Sequence, residues 1–268
     1  MEFVYLVILG LLTILLTRFL LIDGIMMVAS AWEVPKKTRG QVLGYATSVP
    51  ELVGTVGTAS KGLLGAGLWN IYASNIINLI LFLVAVTYYK QQKRLFQKKF
   101  LDEIGFAIGA IIVPFFLVQF GSQATSVWVA GALFLYFIVY VVVDRAVNQV
   151  SAQEEPEEDE ALSDSAVRGI ILIVVGLLGV IVLGEFLGEV AESIVHSLNV
   201  PEWAVGWMLG FLTSLPEMTS FFALFKAGQN SSTDDDCQEA LDNLAASNMS
   251  NLGLIYPLGI LMFLWVTT

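Results

Sequence analysis

Two copies of one short motif carry the residues best suited to chemistry. The first reads TSVPE at 47–51 and the second reads TSLPE at 213–217. A proline inside a helix has no N–H and clashes with the carbonyl four residues earlier, so nearby backbone oxygens can turn toward a cavity. Each motif therefore offers carboxylate, hydroxyl and carbonyl oxygens at one place.

A second pair of matching segments follows the first pair. Residues 73–78 read ASNIIN and residues 246–251 read ASNMSN. The two copies are offset by 173 positions here and by 166 positions in the TSxPE motifs. In each segment the serine and the last asparagine are four residues apart, so they lie on the same face of a helix. The chain thus contains an internal repeat of two polar segments.

The chemistry of this set points to a hard cation. Ca²⁺ takes about six to eight oxygen ligands, whereas zinc and copper favour histidine and cysteine, which the motifs lack. Two carboxylates brought together repel each other or share a proton, and a divalent ion, several Na⁺ or protons would relieve the repulsion. An acidic residue at the bilayer centre costs on the order of 2.5–3.5 kcal/mol, so intramembrane carboxylates indicate function.

Composition indicates the elements that must position these residues. Of 268 residues, 56% are hydrophobic and 14% are charged, against about 25% charged in soluble domains. Since a membrane helix needs about 20 apolar residues, we predict eight spans. They are 3–32, 40–60, 64–88, 101–120, 125–147, 166–196, 202–226 and 240–266.

Positive charge predicts the orientation of these spans. Eleven Lys and Arg residues lie on the side of the odd-numbered loops and one lies on the opposite side, Lys61. The basic side is expected to be cytoplasmic. We therefore predict that both termini are outside, that the acidic loop 148–165 is cytoplasmic, and that 1–12 opens a first span rather than a signal peptide.

The repeat has opposite orientations in the two halves. Five crossings separate the two TSxPE motifs, and an odd number reverses direction, as in many secondary transporters. We predict an all-α polytopic membrane protein of about eight transmembrane helices with an inverted-topology repeat, spans 1–3 against spans 6–8. The predicted units are a first half, 1–147, with repeat 1 at about 40–88; the loop 148–165; and a second half, 166–268, with repeat 2 at about 202–266.

At these motifs the sequence resembles the cation/Ca²⁺ exchanger superfamily, most closely its sodium/calcium exchanger branches. The resemblance covers spans 2–3 and 7–8. It implies that Glu51 and Glu217 are the central Ca²⁺ ligands, beside the carbonyls of Thr47 and Thr213. It also implies that six neutral residues help to form the flanking Na⁺ sites, namely Ser48, Ser74, Asn78, Ser214, Ser247 and Asn251.

Two features depart from the family pattern. Family members usually have ten spans, whereas we count eight here. Both Ser-Asn segments end in asparagine, and Asn251 stands where the potassium-dependent branch has aspartate, which counts against K⁺ co-transport. The proton-driven branch carries a different first motif, so the resemblance favours Na⁺ as the counter-ion.

The resemblance therefore implies an antiporter that exchanges Ca²⁺ for Na⁺ by alternating access in the plasma membrane of a prokaryote. The alternatives are exchange of Ca²⁺ or another divalent ion such as Mg²⁺ for H⁺, and a membrane scaffold that transports nothing. We expect no enzyme, since the hydrolase and metalloprotease motifs are missing. The expected partners are small inorganic cations and the lipid bilayer, with no cofactor and no nucleic acid, and the sequence specifies no oligomeric state.

Overall fold

The protein is helical throughout the residues described by a computed structural model. These are 1–34, 36–95, 97, 100–120, 125–147, 160–227 and 235–268, and within them there is no β-strand. The α-helices are α1 (Glu2–Leu16), α2 (Asp23–Ala31), α3 (Lys36–Thr47), α4 (Val49–Ser60), α5 (Leu64–Tyr88), α6 (Gln92–Leu95), α7 (Leu101–Phe120), α8 (Val127–Val147), α9 (Glu160–Leu198), α10 (Glu202–Thr213), α11 (Leu215–Ala227), α12 (Asp235–Ser250) and α13 (Tyr256–Thr267).

Two π-helical segments join helices into longer rods. Thr17–Ile22 connects α1 to α2, and Asn251–Ile255 connects α12 to α13. The first of them places Arg18 against Asp23, five residues further on, in an ion pair. The second begins at Asn251, one of the predicted ligands, and π-helical turns often occur at functional sites.

The predicted membrane protein is confirmed by the length and composition of its helices. Among the described residues, seven helical segments are long and apolar enough to cross a membrane. They are Glu2–Ala31, Leu64–Tyr88, Leu101–Phe120, Val127–Ala146, Ser165–Leu198, Glu202–Lys226 and Cys237–Thr267. The remaining predicted span, 40–60, is formed by α3 and α4, which are helical but carry more polar residues.

The acidic loop predicted at 148–165 falls mainly on residues 148–159, which lie outside the described part of the chain. Its last residues are already helical, because α9 begins at Glu160.

Both proline motifs break their spans at the expected place. The helix stops at Ser48 between α3 and α4, and at Ser214 between α10 and α11. The two serines have nearly the same backbone angles, φ −82° and ψ 0° at Ser48 and φ −81° and ψ −1° at Ser214. The breaks are therefore local copies of each other.

Glycines bring helices of opposite repeats into close contact. α3 packs along α12, and α10 packs along α5. A Cβ atom added to Gly44 would lie 2.5 Å from the carbonyl oxygen of Asn243, and one added to Gly210 would lie 2.8 Å from that of Asn70. Small residues allow such close approach of membrane helices. Repeat 1 and repeat 2 thus interlock rather than sit side by side.

The long helices cover this core on one side. α9 packs against α1, α2 and α4. At the contact with α4, a Cβ on Gly57 would lie 2.4 Å from the carbonyl oxygen of Gly184, and a Cβ on Gly188 would lie 2.5 Å from that of Gly57. The helix that carries Glu51 is therefore held tightly against α9.

Gly44→Ala and Gly210→Ala should each destabilise the protein by about 1–3 kcal/mol, because the added methyl group overpacks a helix crossing. The measurement is thermal unfolding in detergent. Gly105→Ala is the matched control, since a Cβ there meets nothing within 4 Å. Equal effects at all three glycines would contradict the interlocked packing.

Candidate cation site

Glu51 and Glu217 lie at equivalent positions directly after the two helix breaks. Glu51 is in the first turn of α4 and Glu217 is in the first turn of α11. The side chains of both are fully buried. A helix N-terminus carries partial positive charge, which stabilises a carboxylate there only in part. The two carboxylates are also near enough to repel each other electrostatically.

Each carboxylate accepts a hydrogen bond from the serine of the following helix in its own repeat. The Ser74 hydroxyl donates to Oε1 of Glu51 at 2.7 Å. The Ser247 hydroxyl donates to Oε1 of Glu217 at 3.1 Å. The predicted partnership of the two motifs within each repeat is therefore present in the fold.

The same serines join the two repeats. Ser214 donates to the Ser74 hydroxyl at 2.9 Å, and the hydroxyls of Ser48 and Ser247 are 3.0 Å apart. The serine that holds one carboxylate thus contacts the motif that carries the other. These paired distances agree with a pseudo-two-fold relation between the repeats.

Two asparagines mark the point where α5 and α12 cross. Asn75 donates to the carbonyl oxygen of Asn248 at 3.3 Å, and Asn248 donates to that of Asn75 at 3.2 Å. The last asparagines of the segments complete the crossing. Asn78 donates to Oδ1 of Asn248 at 3.2 Å, and Asn251 donates to Oδ1 of Asn75 at 2.9 Å.

Four buried oxygens of the site receive no hydrogen bond from the described residues. They are Oε2 of Glu51, Oε2 of Glu217, Oδ1 of Asn78 and Oδ1 of Asn251. The amide nitrogens of both asparagines are used in the crossing, so their oxygens remain available as acceptors. A buried acceptor without a partner costs about 1–3 kcal/mol, and more when it is charged. Ligation of a cation is one way in which such acceptors are satisfied.

The two threonines of the motifs end α3 and α10, where the last carbonyls of a helix have no intrahelical donor. Their hydroxyls differ. Thr47 donates to the carbonyl oxygen of Gly44 at 3.1 Å, whereas Thr213 donates to Oδ1 of Asn70 at 3.3 Å.

All ten predicted ligands are buried, and the structure brings both acids, four serines and two asparagines into one hydrogen-bonded region.

Sequence reasoning missed four asparagines around the site, namely Asn70, Asn75, Asn243 and Asn248. All four are fully buried. Asn70 and Asn243 stand four residues before Ser74 and Ser247, at the same offset as the matched segments. Extending the repeat comparison by one helical turn would have found Asn70 and Asn243, whereas Asn75 and Asn248 already lie inside the matched segments.

A separate acidic cluster lies where α7, α8 and α12 meet. Carboxylate oxygens of Asp102, Glu103 and Asp144 lie within 4.8 Å of one another. Gln41 donates to Asp144 at 2.6 Å, and Gln238 donates to Glu103 at 2.9 Å. The cluster is therefore tied to α3 and α12 by side-chain amides.

Comparison with known proteins agrees with this architecture. The family model described as "Sodium/calcium exchanger protein" matches residues 2–144 and 168–267. Among curated proteins, an uncharacterised membrane protein of Methanocaldococcus jannaschii, MJ0091, is 26% identical over 215 residues, which are 79% of this chain and 66% of that relative. The chain thus matches just under two thirds of the relative's length.

Solved structures of the sodium-calcium exchanger NCX_Mj share the fold. One, soaked with Na⁺ and Sr²⁺, has a TM-score of 0.58 and 24% identity, over 98% of this chain and 83% of that one. Another, soaked with Na⁺ and without Ca²⁺, has a TM-score of 0.58 and 23% identity, over 98% and 84% of the two chains.

If the four unpartnered oxygens bind one divalent ion, Ca²⁺ should raise the midpoint of thermal unfolding of the purified protein. The free energy of unfolding would rise by about 2.7 kcal/mol at a Ca²⁺ concentration about 100 times the Kd. Glu51→Gln and Glu217→Gln should each remove most of the gain. Glu185→Gln is the control, because this exposed glutamate pairs with Lys61 outside the site. A gain that survives either site substitution would refute a shared site.

Proposed function

This chain belongs to the sodium/calcium exchanger family, and from that premise we propose that it is a secondary antiporter that exchanges Ca²⁺ for Na⁺. The transported ions would bind between Glu51 and Glu217 and reach either side of the membrane by alternating access. The observation that carries the proposal is the set of four buried oxygens without hydrogen-bond donors, which comes in equal parts from the two repeats.

Charge supports a divalent ion as one substrate. Glu51 and Glu217 together supply two negative charges, which one Ca²⁺ neutralises. Bare buried carboxylates resist desolvation, so the pair needs a cation or protons when the site is closed. Because the ligands are hard oxygens, Ca²⁺ suits the site better than softer metals do.

Competition for the same carboxylates would couple the two ions. Several Na⁺ could replace one Ca²⁺ if the carboxylate oxygens are shared with neighbouring neutral oxygens. The hydroxyls of Ser74 and Ser247 and the amide oxygens of Asn78 and Asn251 adjoin the acids and are suited to that role. The carbonyls of Thr47 and Thr213 would add further ligands.

In the membrane, we propose the orientation that the positive charges predict. Both termini would lie outside and the loop 148–165 would lie in the cytoplasm, in the plasma membrane of a prokaryote. The chain would act as a transporter without enzymatic activity.

Proteoliposomes loaded with Na⁺ should take up ⁴⁵Ca²⁺ when the Na⁺ gradient is directed outward. Glu51→Gln and Glu217→Gln should each lower uptake by more than roughly a hundredfold, because each leaves one buried charge facing a divalent ion. Glu185→Gln should transport like the parent chain. Asn78→Ala and Asn251→Ala should reduce uptake without abolishing it and should change its dependence on Na⁺.

Two outcomes would change the assignment. Uptake that does not depend on Na⁺ but depends on a pH gradient would identify H⁺ rather than Na⁺ as the counter-ion. The carboxylate site would remain as proposed. Uptake that neither Glu→Gln substitution affects would rule out the carboxylates as the transport site.

The orientation has its own test. A reporter fused to the C-terminus should be accessible from outside, and a cysteine at Ser163 in a Cys237→Ser background should react with an impermeant reagent only from the cytoplasmic side. The reverse pattern would show that the predicted span count is wrong.

A further inference from the structure

Asn70 connects three parts of the site in this conformation. Its amide nitrogen donates to the hydroxyl of Thr55 at 3.1 Å and to the carbonyl oxygen of Glu51 at 3.4 Å. Its amide oxygen accepts from the hydroxyl of Thr213, in the other repeat, at 3.3 Å. Asn70 thus holds α4 to α5 and positions a threonine at the end of α10.

Asn243 occupies the equivalent position and makes none of the equivalent bonds. Its side chain is fully buried, and neither its amide nitrogen nor its amide oxygen has a hydrogen-bond partner among the described residues. Thr47, the counterpart of Thr213, instead donates to Gly44 in its own helix. Phe221 stands at the position that corresponds to Thr55 and cannot accept a hydrogen bond.

The packing of α4 and α11 differs in the same sense. α9 lies along α4 and buries Val53 and Gly57. Over the described residues, α11 makes no comparable contact with α1 or α2, the counterparts of α9. Thr219 and Ala223, which correspond to Val53 and Gly57, are consequently exposed. The conformation is covered on the α4 side and uncovered on the α11 side.

A buried amide with two unpartnered atoms is costly, so it should have partners in another state of the protein. The repeat defines those partners. If the two halves exchange conformations, the hydroxyl of Thr47 reaches Asn243, and the Asn243 amide reaches the carbonyl of Glu217. By the same exchange, Asn70 takes the unbonded arrangement that Asn243 has here and loses its bonds to Thr213, Thr55 and the carbonyl of Glu51.

We propose that Asn70 and Asn243 are a pair of positioning residues whose hydrogen bonds to the threonine of the opposite repeat alternate between the two orientations of the transporter. Asn70 holds the state in which α9 covers α4. Asn243 holds the opposite state, in which α11 is covered. The inference rests on the proposed function, because it assigns the residues that control the alternation of that same site.

The two states are not matched in hydrogen bonding. Asn70 has three partners, whereas Asn243 can gain only two, because Phe221 replaces the third. Each net hydrogen bond corresponds to roughly a fivefold change in an equilibrium constant. The asparagines therefore favour the observed orientation when no ion gradient acts.

The test is the reactivity of two repeat-equivalent cysteines in membrane vesicles. Val53→Cys and Thr219→Cys are placed separately in a Cys237→Ser background, and their reaction rates with a small thiol reagent are measured with the same Na⁺ concentration on both sides of the membrane, so that no ion gradient acts. Each reporter is then combined with Asn70→Leu, which removes the amide but keeps the size, or with Asn243→Leu. Thr213→Val and Thr47→Val remove the same bonds from the other partner.

We expect Asn70→Leu and Thr213→Val to raise the ratio of the Val53→Cys rate to the Thr219→Cys rate by roughly fivefold or more. Asn243→Leu and Thr47→Val should lower it. General loss of stability would speed the buried Val53→Cys reporter more than the exposed Thr219→Cys reporter, so it would raise the ratio for substitutions in either repeat. A ratio that moves in the same direction in both repeats, or that does not move, overturns the proposal.

The labelling assay tests the role of the asparagines, and the flux assay tests the proposed function, so a negative result in one does not decide the other. A chain that shows no Na⁺-driven Ca²⁺ uptake contradicts the proposed function, yet its cysteine rates still report the two orientations. A chain that exchanges the ions but shows no opposite shifts contradicts the role of the asparagines alone.

Discussion

Electrostatic repulsion between two carboxylates buried in the interior of a helical membrane protein is the constraint on which the rest of the structure depends. Glu51 and Glu217 are removed from solvent, and each accepts a hydrogen bond from one serine. Neutral hydroxyls and helix N-termini offset only part of the cost of burying two like charges. Binding of a cation or of protons would remove the remaining cost, so under the proposed function a stable closed state of the site depends on its ligand. An exchanger needs this dependence, because a site with two charges and no ion resists the conformational change that moves its opening from one side of the membrane to the other.

The inverted repeat builds this site from parts that neither half possesses alone. Each proline motif breaks a span at a serine and places a glutamate in the next turn. A serine of the following helix donates a hydrogen bond to that glutamate. The hydroxyl of this serine is in turn hydrogen-bonded to the serine of the opposite motif. Asn75 and Asn248 fix the crossing by bonding to each other's backbone. Gly44 and Gly210 let the opposite repeats approach closely enough for these short side chains to meet.

Much of the architecture could be predicted because it depends on periodicity and on doubled motifs. The bounds predicted for 64–88 and 101–120 agree with α5 and α7, since apolar length sets a membrane helix. The breaks at Ser48 and Ser214 follow from proline chemistry. The π-helical turn at Asn251 and the glycine contacts could not be predicted, because both depend on how distant helices pack. The different environments of Asn70 and Asn243 were also beyond prediction, since a sequence repeat describes the average of two halves and not the state that each half adopts.

The central claim is that one divalent ion bridges Glu51 and Glu217, and a structure determined with Ca²⁺ or Sr²⁺ tests it most directly through the anomalous signal of the metal. We predict a single strong peak within coordination distance, about 2.3–2.6 Å for Ca²⁺, of a carboxylate oxygen of each glutamate. The oxygens of Asn78 and Asn251 that lack donors should face this region. Separate peaks on the two glutamates, or a peak only at the cluster of Asp102, Glu103 and Asp144, would contradict the shared site.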